Sequence, residues 1–410
     1  VINANPCINF LMEENTITMQ TLVMAHAAFG HNHFFKNNYL FRQWTDAEAI
    51  LDYLNFSKRY ISRCEEEFGL DAVEHIIDAA HSLMNQGVFR YARPPRLSDE
   101  AMRQRLRKRL DYDQETFNDL WRTLPTGSGD SAEEDDEDDE DFDFQKDIKL
   151  PEENLLYFIE KKSPILRPWQ REIVRIVRNI AQYFYPQKQT KVMNEGCATF
   201  VHHYIMTELH ERGLINDGSY LEFIHSHSSV VLQPAFDDPR YSGLNPYALG
   251  FAMMSDIKRI ATEPTPEDRV WFPEIAGCGD WRGVLKNAWA NYRDESFILQ
   301  FLSPHIMREL RLFAIHDESE EPHYEVRAIH DETGYRRVRE NLASMYDLGQ
   351  HEPNIQVVRA DLKGSRTLYL RHTRHRGIPL DSKTEQQVVR HIERLWGYEV
   401  QIESVDAEEK

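Results

Sequence analysis

A chain of 410 residues with 41% hydrophobic and 11% aromatic residues can bury a sizeable core, which excludes an overall disordered class and predicts two or three domains. Its 68 acidic and 48 basic side chains leave a net charge of −20, which argues against sequence-independent binding to nucleic acid or anionic lipid. Four widely spaced cysteines (Cys7, Cys64, Cys197, Cys278) with no C-x-x-C pair exclude a zinc ribbon and a disulfide framework.

The first helical pattern begins at a cap on Asn15 or Thr16 and places Ile17, Leu22, Val23, His26 and Phe29 broadly on one side, with Gly30 ending or bending it. It carries His26, His31 and His33. On a straight helix His26 and His33 share a face, whereas His26 and His31 stand about 140° apart. One ion can take both only if the helix breaks near Gly30 or the ion sits between faces. Metal ligand and core histidine are both open readings of three imidazoles in eight residues.

Residues 34–39 read as a buried aromatic turn. Residues 44–67 and 71–86 read as two helices on either side of Gly69, with His75 and His81 structural. Residues 99–121 read as a charged helix whose Arg103, Arg105, Arg107, Lys108 and Arg109 lack interleaved aromatics, hence a solvated face. Residues 125–149 are too polar to fold alone and read as a linker. Within it Asp130, residues 133–141 and Asp143 hold eleven of the negative charges, leaving −9 for the rest. That run is a solvated linker or a dock for a basic partner.

Pro168 opens a long helix at a tolerated first-turn position, with Ile173, Ile176, Val177, Ile180 and Phe184 as its buried stripe. Glu172 lies at the stripe's edge, either a salt-bridged rim residue or a metal ligand. After a break expected at Tyr185-Pro186, another helix starts with Asn194 as N-cap and Glu195 in its first turn. Glu195 and His202, seven apart, are about 700° around the helix and so face the same way. Taken alone, the pair reads more simply as a Glu placed for the helix dipole beside an unrelated His. Gly196 leaves room for a close neighbour, either a helix or a ligand. His225 and His227 would converge on a strand but diverge on a helix, and rank below His26, His31 and His202.

Residues 246–260 and 294–302 read as helices around a turn-rich 265–283. Beyond residue 307 the pattern becomes β-β-α-β-β-α-β, with a hairpin at Lys363-Gly364-Ser365. The expected fold is a mainly α-helical core domain with a smaller α+β C-terminal domain. Its expected division is an N-terminal helical part (1–125), the acidic linker (126–150), a helical core (151–303) and the α+β domain (304–410). The two helical parts are expected to share one core. No signal-peptide pattern or membrane-length apolar run is present, so the expected compartment is the cytoplasm.

The run Met193-Asn194-Glu195-Gly196-Cys197-Ala198-Thr199-Phe200 resembles the M-N-E-G-x-A-[TS]-[YFW] signature of the SpoVR family, named after a stage V sporulation protein. Ala25-His26 through Gly30-His31, Phe34-Phe35-Lys36-Asn37-Asn38, Trp169-Gln170-Arg171-Glu172 and Tyr183-Phe184-Tyr185-Pro186-Gln187 match further blocks in the same order. So do Asn245-Pro246-Tyr247-Ala248-Leu249-Gly250 and Leu395-Trp396-Gly397, extending the likeness over nearly the whole chain. It is similar to the branch found in non-sporulating Gram-negative bacteria. The family usually carries Trp where Cys197 stands, which predicts looser packing around the Glu195 helix. The chain opens at Val1 in mid-pattern, and family members carry a further segment upstream. The resemblance favours His26 and His31 over His33. It implies a sporulation or stationary-phase stress role, including spore-cortex formation in spore formers. It also implies a PrkA-type serine kinase and a von Willebrand-like protein as partners.

The candidate metal ligands are therefore His26, His31, Glu195 and His202, with Glu172 and Glu195 as candidate catalytic carboxylates. Imidazoles with one carboxylate suit a divalent metal, Zn²⁺ first, and Fe²⁺ or Mn²⁺ less decisively. A carboxylate left unligated would act as general base on water, as in zinc hydrolases. The first functional reading is a metal-dependent hydrolase of peptide or amide bonds, although H-E-x-x-H is absent. The alternative is a non-enzymatic interaction or regulatory protein. No phosphate loop, kinase loop, dinucleotide fingerprint or serine elbow appears.

Overall fold

The computed structural model describes residues 2–90, 150–316, 325–328, 331–375 and 377–407. The acidic run, the linker expected over 126–150 except its last residue, and the charged helix expected over 99–121 lie outside these residues.

The Thr16 hydroxyl accepts the Met19 amide and starts α1 (Ile17–Met24). The chain then continues into a π-helical turn (Ala25–His31) and α2 (Asn32–Asn37). The side expected to be buried on this helix is not: Ile17 is 79% and Phe29 63% exposed. Ala25, Ala27, Gly30 and His31 are buried instead, because small residues allow a neighbouring backbone to come close. Asn38 is fully buried; its amide donates to the Trp289 and Tyr292 carbonyls and its oxygen caps α3 (Tyr39–Trp44). Next come α4 (Ile50–Phe68) and α5 (Leu70–Ser82), hinged at Gly69, whose φ of 89° suits glycine.

Across the undescribed segment lie α6 (Leu155–Lys162) and α7 (Pro168–Gln189). The break expected at Tyr185-Pro186 does not occur, because α7 takes Pro186 into its last turn and ends at Gln189. Then follow α8 (Lys191–Glu211), α9 (Asp217–Val230), α10 (Pro246–Thr262), α11 (Pro266–Trp271), α12 (Trp281–Asn291), α13 (Asp294–Phe301) and α14 (Pro304–Glu309). Asn194 is not the cap of α8. The helix starts three residues earlier, and the wholly buried Asp294 carboxylate accepts the Val192 and Met193 amides at 2.8 Å each. A carboxylate at a helix N-terminus satisfies orphan donors and opposes the dipole. Burial nevertheless pushes its carboxyl up to about 7, against the pull of those amides.

The C-terminal elements follow the expected order: β1 (Ala314–His316), β2 (Glu325–Ala328), α15 (Glu332–Tyr346), a short α16 (Leu348–His351), β3 (Asn354–Ala360), β4 (Leu368–Arg374), α17 (Ser382–Trp396) and β5 (Val400–Asp406). The strands form two sheets. β1 and β2 pair antiparallel; β3-β4-β5 form the other, antiparallel then parallel, with α17 as the crossover. The Asp361 carboxylate accepts the Gly364 and Ser365 amides and closes the β3–β4 turn.

Two large apolar cores and two small clusters form among the described residues. The first gathers Phe34, Phe41, Met193, Leu249, Phe297 and Val338, so α15 packs with the helices. The second joins Val73, Leu156, Ile173, Val357, Leu370 and Trp396, so the three-stranded sheet and α17 pack on α5, α6 and α7. Both join residues from before and after the undescribed segment. The architecture is a mainly helical core with a small α+β part near the C-terminus. No helix among the described residues is long and apolar enough to cross a membrane.

Candidate functional site

The site is built where α8 passes between the π-helical turn and α10. A Cβ on Gly30 would lie 2.4 Å from Ala198 Cα, so that crossing requires glycine. On the other side, a Cβ on Gly250 would lie 2.3 Å from the Val192 oxygen and 2.6 Å from Gly196 Cα. The neighbour for which Gly196 leaves room is thus a helix, α10. Cys197, fully buried, places its sulfur 3.9 Å from the Gly30 oxygen; burial pushes its thiol up, which suits a packing residue.

The π turn resolves the geometry of the two histidines. Asn32 donates its amide to the Ala27 carbonyl, five residues back. Residues five apart therefore stack, where an α-helix would set them about 140° apart. His26 and His31 end ring against ring, with centroids 4.6 Å apart at 87°. Glu195 completes the group: one donor atom each from His26, His31 and Glu195 lie within 4.8 Å of one another. His33 turns away, its ring against Trp289.

Each member is held from behind. His31 Nδ1 lies 2.6 Å from the Asn194 Oδ1. An amide oxygen only accepts, so Nδ1 carries a proton, and Nε2 is the nitrogen turned toward Glu195. That Nε2 is 3.6 Å from Glu195 Oε2, and Oε2 is buried without a hydrogen-bond partner. Tyr247, on the capped first turn of α10, lies beside the Glu195 carboxylate; burial, then that carboxylate, push its hydroxyl up to about 12. His26 Nδ1 lies 3.0 Å from His202 Nδ1, and His202 Nε2 lies 2.9 Å from His227 Nδ1. Burial, then neighbouring imidazoles, lower His26 to about 3, His202 to about 2 and His227 to about 4, so all three are neutral.

Of the residues singled out in the sequence, His26, His31 and Glu195 converge. His202 is beside them but stands behind His26, outside the group of three. Glu172 does not come to the site. Its carboxylate pairs with Arg175, which also binds the buried Glu160 together with Arg178. Two guanidiniums and the Lys161 ammonium satisfy the two acids, and Glu172 is the network's partly exposed rim member. Sequence reasoning missed Asn194, Tyr247 and His227. Asn194 and Tyr247 lie inside the two family motifs, a signal that was available; His227 had only the H-x-H spacing, which a helix renders meaningless. On α9 His225 is exposed and His227 buried, as divergence on a helix requires.

His31 Nε2 and the buried, partnerless Glu195 Oε2 face each other across 3.6 Å, a separation one bound cation could bridge. The group fits a divalent ion by donor type, since two imidazoles and a carboxylate form a recurrent metal set.

The comparisons with known proteins agree in extent. Residues 1–351 match the family described as SpoVR like protein, and residues 353–407 match the SpoVR-like C-terminal domain. The uncharacterised protein YcgB of Escherichia coli K12 is 53% identical over 403 residues, covering 98% of this chain and 77% of that protein. No solved structure matches. With a family model spanning most of its length and both histidine and Met-Asn-Glu-Gly blocks meeting in space, the chain belongs to the SpoVR family.

Proposed function

We propose that the chain is a metal-dependent hydrolase of peptide or amide bonds, holding a divalent ion, Zn²⁺ first, on His26, His31 and Glu195. The observation that carries this reading is the Glu195 Oε2, buried without a hydrogen-bond partner and 3.6 Å from His31 Nε2. Three protein ligands are the pattern of catalytic rather than closed structural zinc sites. The ion would supply Lewis acidity. The chain's own contribution is positioning: Asn194 fixes the His31 tautomer, Tyr247 braces Glu195, and His202 backs His26. Glu172, engaged with Arg175, has no part in it. Fe²⁺ suits the same donors, so metal identity is part of the test.

Family membership is what supports a role in sporulation or stationary-phase stress, in the cytoplasm, with a PrkA-type serine kinase and a von Willebrand-like protein as partners. Co-purification of the tagged chain from stationary cells checks the partners.

The chain stripped with chelator and dialysed against Zn²⁺ should retain about one ion by elemental analysis. His31→Ala and Glu195→Gln should lower affinity at least tenfold, on the order of what even supporting residues contribute. Glu172→Gln and His225→Ala should change nothing. No retention of zinc, iron or manganese by the wild-type chain would sink the proposal; retention without amide hydrolysis would leave a metal-binding regulatory protein.

A further inference from the structure

Three histidines stand in series at the site, and only the first belongs to the candidate ligands. A neutral imidazole has one donor and one acceptor nitrogen. Both nitrogens of His202 are engaged, so the chain of hydrogen bonds must run one way or the other. Running outward, His26 Nδ1–H donates to His202 Nδ1, His202 Nε2–H donates to His227 Nδ1, and His26 Nε2 is bare. Running inward, His227 donates to His202 and His202 to His26, which must then carry its own proton on Nε2. Only the outward direction leaves His26 a nitrogen that can bind a cation.

We propose that His227, acting through His202, is a positioning residue that holds His26 in the tautomer with a bare Nε2. This rests on the cation-binding reading above. His227 Nδ1 is the acceptor that keeps the His202 proton on Nε2. The His227 ring is 5% exposed and is set at 88° to the His202 ring. Phe251 and His203 stand 4.7 Å from it and Phe223 5.7 Å, ring centre to ring centre. Packed on these sides, the ring keeps its plane, and its 2.9 Å contact with His202 Nε2 is what favours Nδ1 over Cδ2 at that edge. The candidate ligand on the π turn is thereby governed by a residue on α9, which touches no ligand itself.

The test compares His227→Phe with His227→Asn. Phenylalanine preserves the aromatic packing but offers no acceptor. The His202 proton then moves to Nδ1, where a partner remains, and His26 is forced to protonate Nε2. Zn²⁺ affinity, read by competition titration, should fall about 10–100-fold. Asparagine can present an amide oxygen close to where Nδ1 stood and should hold affinity near the wild-type value, a rescue that a purely structural role would not produce. Long-range ¹H–¹⁵N NMR of the metal-free, histidine-labelled chain reads the tautomer directly. His26 should carry its proton on Nδ1 in the wild type and in His227→Asn, and on Nε2 in His227→Phe. Unchanged zinc affinity in His227→Phe, or a wild-type His26 protonated on Nε2, overturns the proposal. If His227→Phe does not fold, the wild-type spectrum alone decides. A wild-type chain that shows these tautomers yet takes up no metal would sink the cation reading and leave the positioning role standing.

Discussion

Gly250→Leu should destabilise the chain by about 3 kcal/mol or more, at the upper end of what overpacking costs. A Cβ at this position would meet the Val192 oxygen at 2.3 Å and Gly196 Cα at 2.6 Å. Both are backbone atoms of α8, so no rotamer change can make room and the two helices must separate. Separation would pull Leu249 and Met253 from Met193 and Cys197, all of which are fully buried in the first core. It would also move Glu195, the neighbour of Gly196, relative to His26 and His31. Urea unfolding gives the stability, and zinc retention gives the site. A variant within 1 kcal/mol of wild type, by the typical scatter of surface changes, would mean that the helices do not cross this closely.

In the metal-free chain, stability should be flat above about pH 7 and fall steeply as pH drops below 6.5. Burial lowers His26 to about 3, His202 to about 2 and His227 to about 4. Below the unfolded value near 6.5 the unfolded histidines take up protons that the folded ones refuse. Stability gained from the neutral buried rings is therefore present above 6.5 and is lost as pH falls toward the folded values. Each ring contributes a slope of up to ~1.4 kcal/mol per pH unit, so the three together reach roughly 4 kcal/mol per unit between pH 6 and 4; the Asp294 carboxyl, raised to about 7, opposes them by up to ~1.4 and leaves a net of roughly 3. The salt-bridged carboxylates act lower. Asp268, held at about 2 by Arg259 and Thr265 against its burial, loses its contribution only below the ordinary carboxylate range. Urea midpoints at pH 7.5, 6.5, 5.5 and 4.5 read the curve. Equal stability at 7.5 and 5.5 would mean that the three imidazoles are not buried neutral.

The extent of the elements was largely legible in the sequence, because apolar periodicity and caps act within a few turns. The helices 334–346 and 384–396 and the strands around Lys363-Gly364-Ser365 fall within a few residues of their expected bounds. The choice of His26 and His31 over His33 came from the family resemblance rather than from face geometry, which pairs His26 with His33. The tertiary structure alone decided how they meet. A π turn, whose hydrogen bonds span five residues, stacks two histidines that regular helix geometry would separate. The first amides of α8 are satisfied by Asp294, about a hundred residues downstream, which no local rule could find. Glu172 went to Arg175 because guanidiniums from the next turns of the same helix satisfy it and Glu160 together. His227 became part of the site because α9 folds back against α8. These outcomes depend on helix crossings set by glycine pairs and on which buried polar atoms find partners, and both are properties of the packed chain rather than of any segment in it.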